Sequence, residues 1–174
     1  MREAVPGITL RTTIIVGFPG ETEEDFDGLK DFIQETRFER LGVFSYSKEE
    51  GTPAAKMKGQ IPGKTMEKRR DEIMRMQSSI SLEKNKALVG KKFRVLVDEV
   101  DKGTGIGRLC SQAPEIDGVV FIEMGQGARG KREKEFGNAS RFTHRASRTL
   151  SAGEFVEVEI VEAYDYDLKG KPIP

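Results

Sequence analysis

The chain has 174 residues, which is enough for one medium domain or two small ones. Hydrophobic residues make up 36% and charged residues 33% of it, a composition typical of a polar globular protein. The 29 basic and 29 acidic side chains cancel, so no overall field favours nucleic acid, and such a role needs a local patch.

Few residue types for metal or disulfide chemistry are present. One cysteine, Cys110, excludes an internal disulfide framework, and one histidine, His144, leaves too few ligands for most structural zinc sites. No apolar run approaches the roughly 20 residues of a membrane-spanning helix. The N-terminus also lacks the apolar core of a signal peptide. We therefore expect no membrane partner and a cytoplasmic location.

The first predicted strand covers residues 10–16. Its β-branched residues are continuous rather than alternating, which is typical of a strand buried on both faces in a parallel sheet. It stops at a turn with the sequence Gly17-Phe18-Pro19-Gly20-Glu21. Thr22 can cap a following helix, in which Phe26, Leu29, Phe32 and Ile33 form one apolar stripe.

A second predicted strand covers residues 41–46, so strand, helix and strand make one βαβ unit. It ends at Ser45-Tyr46-Ser47. The carboxyl ends of parallel strands meet at one edge of a sheet, and small-molecule sites of α/β proteins lie there. We expect the first turn and Ser45–Ser47 to converge on such a site. Glycine and proline also end strands for backbone reasons alone, and spacing does not separate these alternatives.

A loop is predicted at residues 47–63 and a long helix at 64–88. Met66, Ile73 and Ile80 fall seven residues apart and predict its buried face. The run around Lys68 and Arg69 predicts a charged, solvent-facing side. Gly90 is the predicted C-cap.

Beyond Gly90 the pattern becomes all-β. Short apolar segments at 92–97, 105–109, 119–122 and 155–161 alternate with turn residues, which favours a small barrel. The predicted domains are therefore residues 1–89 and residues 90–174.

A basic segment at residues 125–148 interrupts the barrel pattern. Its basic side chains include Arg129, Lys131, Arg132 and Arg145. Two interpretations stay open: contact with RNA phosphates, or a solvated insertion without a partner.

With these segments in view, the chain resembles the C-terminal part of the radical-SAM methylthiotransferases. The matching residues are Thr12–Thr22, then Phe44–Ser47 followed by Glu49-Glu50-Gly51-Thr52-Pro53-Ala54, and Gln77, Ile80, Ser81 and Asn85 on the long helix. The barrel resembles a TRAM domain. The resemblance implies an α/β region followed by an all-β region: the last βαβ part of a partial TIM-type radical-SAM barrel, a connecting helix, and an OB-like TRAM barrel.

Three segments resemble the RimO branch of that family. They are Glu49-Glu50, where the tRNA-modifying MiaB branch usually has a basic residue, Ala113–Gly118, and 163–170. The resemblance implies addition of a methylthio group to the β-carbon of an aspartate in a small-subunit ribosomal protein. It also implies S-adenosylmethionine and two [4Fe-4S] clusters as cofactors.

The resemblance assigns roles to individual residues. Gly17, Phe18, Pro19, Gly20 and Glu21 are expected beside S-adenosylmethionine, and Ser45, Tyr46 and Ser47 near its adenosyl part. The TRAM barrel is expected to dock the protein substrate. Partner contacts are expected at Glu115, Asp117, Arg129, Lys131, Arg132 and Arg145, with ribosomal RNA as a further partner of the basic segment.

The chain departs from the family pattern in its cysteines. The CxxxCxxC motif is absent, and one cysteine cannot hold a [4Fe-4S] cluster. We therefore expect a truncated enzyme that is inactive by itself. Gln112 also stands where the family usually has aspartate. A MiaB-like tRNA-modifying protein and a stand-alone TRAM module that binds RNA or the ribosome are the alternatives.

Overall fold

A computed structural model describes residues 1–101, 103–123 and 150–173. The chain divides into two compact units, Met1–Ala87 with Tyr164–Tyr166, and Leu88–Ala163 with Asp167–Pro174. The basic segment at 125–148 lies outside the described residues.

The first unit contains the predicted βαβ arrangement. Its elements are β1 (Arg11–Val16), α1 (Glu23–Thr36), β2 (Arg40–Ser45), a single 3-10 turn (Ala54–Lys56) and α2 (Gly63–Lys86). Strands β1 and β2 pair in parallel, and α2 packs on both strands and on α1. Within the described ranges, neither helix is long and apolar enough to cross a membrane.

Helix α1 begins where the sequence predicts. The Thr22 hydroxyl accepts a hydrogen bond from the Asp25 amide, and the Asp25 carboxylate accepts one from the Thr22 amide. The Thr22 hydroxyl also donates to the Asp25 carboxylate at 2.7 Å, and the bonds donated by the Thr22 amide and hydroxyl lower the pKa of Asp25. The predicted apolar stripe is only partly correct. Phe26 and Ile33 are buried, but Phe32 is half-exposed and lies edge-on to Phe38.

Helix α2 buries Ile73 and Ile80, as the spacing of seven predicts. The predicted C-cap at Gly90 is wrong. The helix ends at Lys86 with Ala87 as its cap, and Gly90 instead donates its amide to the Ile160 carbonyl at 2.8 Å. Glycine suits this position because its φ is +80°.

The second unit is the predicted small barrel. Its strands are β3 (Lys92–Asp101), β4 (Thr104–Arg108), β5 (Val120–Glu123), β6 (Phe155–Ala163) and β7 (Leu168–Pro172). They close in the order β3-β4-β5-β7-β6, with only the β5–β7 pair parallel. Sequence reasoning missed β7, because Leu168-Lys-Gly-Lys-Pro carries one large apolar residue and gives almost no strand pattern.

The barrel core is made of aliphatic side chains from alternate strand positions. Its fully buried members include Val95, Val120, Ile122, Val158 and Leu168. Gly107 permits close packing, since a Cβ there would lie 2.4 Å from the Leu96 carbonyl oxygen. The interior of the barrel is therefore occupied by these side chains.

Glu39, just before β2, connects the N-terminal residues, the start of β1 and helix α2. Its carboxylate accepts hydrogen bonds from the Leu10 amide at 2.7 Å, from the Arg2 guanidinium and from the Lys84 ammonium. Burial opposes ionisation of Glu39, but these three donors outweigh it and lower its pKa below the ordinary value of 4.5.

We expect Glu39→Gln to destabilise the first unit at pH 7 by about 1–3 kcal/mol, because partly buried donors, the Leu10 amide and the Lys84 ammonium, lose a charged acceptor. The folded pKa is below the unfolded one, so the contribution is present above pH 4.5 and disappears as the pH falls through the folded pKa. Urea unfolding at pH 7 and pH 3 measures this. The difference from wild type should shrink at pH 3, and Glu35→Gln, at an exposed α1 carboxylate, should match wild type. A loss for Glu39→Gln that does not change with pH would contradict the charge argument.

Candidate functional site

The turn after β1 is a compact loop with two glycines in the left-handed region. Gly17 has a φ of +78° and Gly20 a φ of +90°, which other residues adopt only with strain. The Gly17 amide donates to the Glu21 carboxylate at 2.8 Å, and the Glu21 amide donates to the Phe18 carbonyl at 2.9 Å. Two hydrogen bonds between its own residues therefore close the turn before α1 begins.

The end of β2 lies beside this turn, as the parallel pairing requires. Val16 is the register partner of Ser45, and the Tyr46 amide donates to the Val16 carbonyl at 2.9 Å. The Phe18 and Tyr46 rings meet edge to face with their centroids 5.4 Å apart. The structure thus brings the predicted turn and the predicted strand end together.

Two hydroxyl groups at this strand end have no hydrogen-bond partner within the described ranges. They are the Ser45 Oγ and the Tyr46 Oη, and both atoms are buried. Buried polar groups are rarely left unpaired, because desolvation without a hydrogen bond is costly. Ser47, the third predicted residue, differs: it is exposed and its hydroxyl bonds to Glu49 at 3.1 Å. The hydroxyls of Ser45 and Tyr46 thus have unused hydrogen-bonding capacity at this strand end.

The loop after β2 also contacts the turn. The Gly20 amide donates to the Gly59 carbonyl at 2.9 Å. The loop is stabilised internally, since the Thr52 hydroxyl accepts from the Ala55 amide and Gln60 donates to the Ala54 and Met57 carbonyls. A single backbone hydrogen bond thus links this ordered loop to the glycine turn.

Sequence reasoning missed Arg69. It was predicted on the solvent-facing side of α2, and that prediction is wrong, because only 4% of Arg69 is exposed. Its guanidinium lies 2.5 Å from both Glu21 Oε1 and Glu23 Oε1. Burial disfavours the charged form, but the hydrogen bonds that Arg69 donates to Glu23 and Glu21 outweigh it and raise the pKa of Arg69. Arg69 lies three residues after Met66 and four before Ile73, so it falls on the predicted apolar face of the helix. That spacing was the sequence signal from which its burial could have been predicted.

In the barrel unit, residues 109–118 form a loop that is stabilised by hydrogen bonds between its own side chains and backbone. Gln112 accepts from the Leu109 amide at 2.7 Å and donates to the Gly118 carbonyl at 2.6 Å. The Asp117 carboxylate accepts from the Ala113 amide at 2.6 Å, so it holds the loop together. Glu115 is exposed and has a φ of +62°. Of the two predicted partner residues here, Glu115 alone presents its side chain fully to solvent.

The four predicted basic contacts, Arg129, Lys131, Arg132 and Arg145, lie outside the described residues. No cluster of three or more histidine, cysteine or acidic side chains that could hold a metal occurs among the residues the structure describes. The single cysteine, Cys110, is exposed. These residues do not fit a [4Fe-4S] cluster, which needs several thiolates.

The barrel unit matches a known domain family. Residues 89–173 match the family model of the TRAM domain. Over 98% of its length it is 49% identical to "Ribosomal protein uS12 methylthiotransferase RimO" of Thermodesulfovibrio yellowstonii. It is 45% identical to the protein of that name from Carboxydothermus hydrogenoformans, over 98% of the chain, and 44% identical to that of Myxococcus xanthus, over 99%.

The chain is thus a sequence relative of the RimO methylthiotransferases, which confirms the resemblance found in the sequence. It spans about a third of the length of these curated relatives: 35%, 34% and 32% of the three proteins.

We expect Gly17→Ala to destabilise the first unit far more than Gly20→Ala. Both substitutions incur about 1–2 kcal/mol of left-handed strain. At Gly17 the new Cβ would also lie 2.2 Å from Met66 Cγ, whereas nothing lies within 4 Å at Gly20, so overpacking adds about 1–3 kcal/mol at Gly17 only. Urea unfolding of both variants and of Gly17→Ala with Met66→Ala measures this. Met66→Ala should recover the part of the lost unfolding free energy that is due to overpacking. Equal losses of stability in Gly17→Ala and Gly20→Ala would contradict the packing argument.

Proposed function

We propose that the chain is the C-terminal part of a RimO-type methylthiotransferase, in which the first unit forms part of the S-adenosylmethionine site. The observation that carries this proposal is the pair of buried hydroxyls of Ser45 and Tyr46 next to a glycine turn, which have no partner in the part of the chain that the structure describes. The first unit then corresponds to the last βαβ portion of a partial radical-SAM barrel. The high identity to RimO proteins along nearly the whole chain supports this function over a MiaB-like protein or a stand-alone RNA-binding module.

The residues of the site fit S-adenosylmethionine chemically. The ligand carries ribose hydroxyls, an adenine and an amino-acid group, all of which bond to hydroxyl side chains or to backbone groups. Gly17, Phe18, Pro19, Gly20 and Glu21 supply the turn against which it lies, and Ser45 and Tyr46 supply hydroxyls. When bound, S-adenosylmethionine supplies the methyl group and the radical for this family of reactions.

The roles of these residues are to bind and orient. The small glycines of the turn let a ligand approach the backbone closely, and the edge-to-face contact of Phe18 with Tyr46 fixes the direction of the phenol. The Tyr46 hydroxyl is kept from water by burial, so a ligand that pairs with it gains a hydrogen bond without displacing one. We assign no chemical step to an iron–sulfur cluster here, because this chain has one cysteine.

The TRAM barrel is proposed to dock the substrate. The relatives are named for ribosomal protein uS12, a small-subunit protein, and we propose such a protein as the substrate of the full enzyme in the cytoplasm. Within the loop 109–118, exposed Glu115 supplies the acidic contact for a basic protein, and Asp117 keeps the loop in shape. Ribosomal RNA stays the proposed partner of the basic segment.

We expect the chain to bind S-adenosylmethionine, and Tyr46→Phe and Ser45→Ala each to weaken binding about fivefold to tenfold, because each removes one hydrogen bond worth about 1–1.5 kcal/mol. The ligand-free variants should be as stable as wild type or more so, because each loses an unpaired buried hydroxyl. Isothermal titration calorimetry and urea unfolding measure the two effects.

Tyr166→Phe, at a more exposed tyrosine of the same unit, is the matched control and should bind like wild type. Wild-type affinity in Tyr46→Phe and Ser45→Ala would contradict the assignment of the hydroxyls to the site.

We also expect no methylthiotransferase activity from the purified 174-residue chain supplied with iron, sulfide, a reductant and S-adenosylmethionine. The reason is that one thiolate cannot assemble a [4Fe-4S] cluster. Mass spectrometry of a ribosomal protein substrate measures the added methylthio group. Detection of that mass would show that the chain holds a working cluster and would overturn this expectation.

A further inference from the structure

Arg69 is a buried cation placed against the start of α1. Its Nη1 and Nη2 atoms each contact one carboxylate, those of Glu21 and Glu23, and its guanidinium lies 5.2 Å from the centroid of the Phe26 ring. The two carboxylates are not equivalent. The Glu23 side chain is 79% exposed, whereas that of Glu21 is 13% exposed. The interaction with Glu21 is therefore the one that water screens least.

Glu21 uses its two carboxylate oxygens for two different partners. Oε1 receives the Arg69 guanidinium at 2.5 Å, and Oε2 receives the Gly17 amide at 2.8 Å. The carboxylate thus bridges a buried cation on α2 and the first amide of the glycine turn. A change in the direction of Glu21 must change the hydrogen bond of Gly17.

The same helix contacts the turn a second time. Met66 lies one helical turn before Arg69, and its side chain fills the space next to Gly17, where a Cβ has no room. Helix α2 therefore limits the turn sterically through Met66 and orients it by charge through Arg69. The phenol of Tyr46 and the ring of Phe18 meet at the same turn.

A purely structural role for Arg69 makes a different prediction. If Arg69 only joined α2 to α1, its contact with Glu23 would be sufficient. Removing the Arg69 side chain would then leave the hydrogen bond of the Gly17 amide unchanged. The bridge through Glu21 Oε2 separates these two cases, because it makes the Gly17 amide respond to Arg69.

We propose that Arg69 is a positioning residue of the ligand site: by fixing the Glu21 carboxylate, it holds the Gly17 amide and the Gly17–Glu21 turn in the conformation that binds S-adenosylmethionine. This rests on the proposed function for the identity of the ligand. The link from Arg69 to the Gly17 amide stands on the geometry of the first unit alone.

The test compares Arg69→Met, Arg69→Lys and Glu21→Gln in the full 174-residue chain. Arg70→Met is the matched control, since Arg70 is a neighbouring, exposed arginine that pairs with Asp71. The first readout is the amide resonance of Gly17 and its hydrogen-exchange rate, measured without ligand by NMR. The second is the affinity for S-adenosylmethionine, measured by isothermal titration calorimetry.

We expect Arg69→Met and Glu21→Gln to shift the Gly17 resonance, to speed its exchange at least tenfold, and to weaken S-adenosylmethionine binding about tenfold. Arg69→Lys should behave nearly like wild type in both readouts, because it keeps the positive charge. Arg70→Met should match wild type. If Arg69→Met does not fold, Glu21→Gln tests the same bridge from the other side and leaves the Arg69–Glu23 pair in place.

Three results would overturn the proposal, and they are distinguishable. An unchanged Gly17 amide in Arg69→Met and Glu21→Gln shows that the bridge does not position the turn. A changed amide with wild-type affinity shows that the positioning does not serve binding. No S-adenosylmethionine binding by the wild-type chain at millimolar concentration overturns the proposed function, and with it the ligand assigned to the turn.

Discussion

Parallel pairing of β1 with β2 is the constraint on which the site depends. In a parallel pair the carboxyl ends of both strands reach the same edge of the sheet. The turn at Gly17 and the hydroxyls of Ser45 and Tyr46 must therefore become neighbours. An antiparallel pair would have separated them by the length of a strand. Helix α1 makes this pairing possible as the crossover, and its capping box at Thr22 sets how soon after Gly20 the helix begins.

Several buried polar side chains of the first unit make contacts between elements, although Arg69 Nε and Gln77 Oε1 are, like two buried hydroxyls, without a partner within the described residues. Arg69 and Gln77 have partners that join elements: Arg69 contacts Glu21, and Gln77 donates to the Phe38 carbonyl at 3.0 Å. These interactions hold the scaffold. The hydroxyls of Ser45 and Tyr46 have none within the described residues, and both lie at one strand end. Two adjacent unpaired hydroxyls at one strand end support the proposal that a polar molecule binds there.

Local signals predicted most of the elements, and tertiary contacts account for what was missed. The cap at Thr22 and the turn at Gly17 were predictable, because each depends on residues only a few positions away. Arg69 was not recognised, because the charged run around it concealed its helical spacing from Met66 and Ile73, and its partner Glu21 lies 48 residues earlier. Strand β7 was not recognised either, because its pairing with β5 and β6, and not its own sequence, makes it a strand. The unpaired state of the Tyr46 hydroxyl could be found only with all its neighbours in place.

The central claim is that the turn after β1 and the end of β2 form one side of an S-adenosylmethionine site. The most direct measurement is a map of amide chemical-shift changes in the full chain as S-adenosylmethionine is added. The account predicts saturable changes concentrated at Gly17, Gly20, Ser45 and Tyr46, with the barrel strands unaffected. Changes centred on the barrel, or none at millimolar ligand, would contradict it.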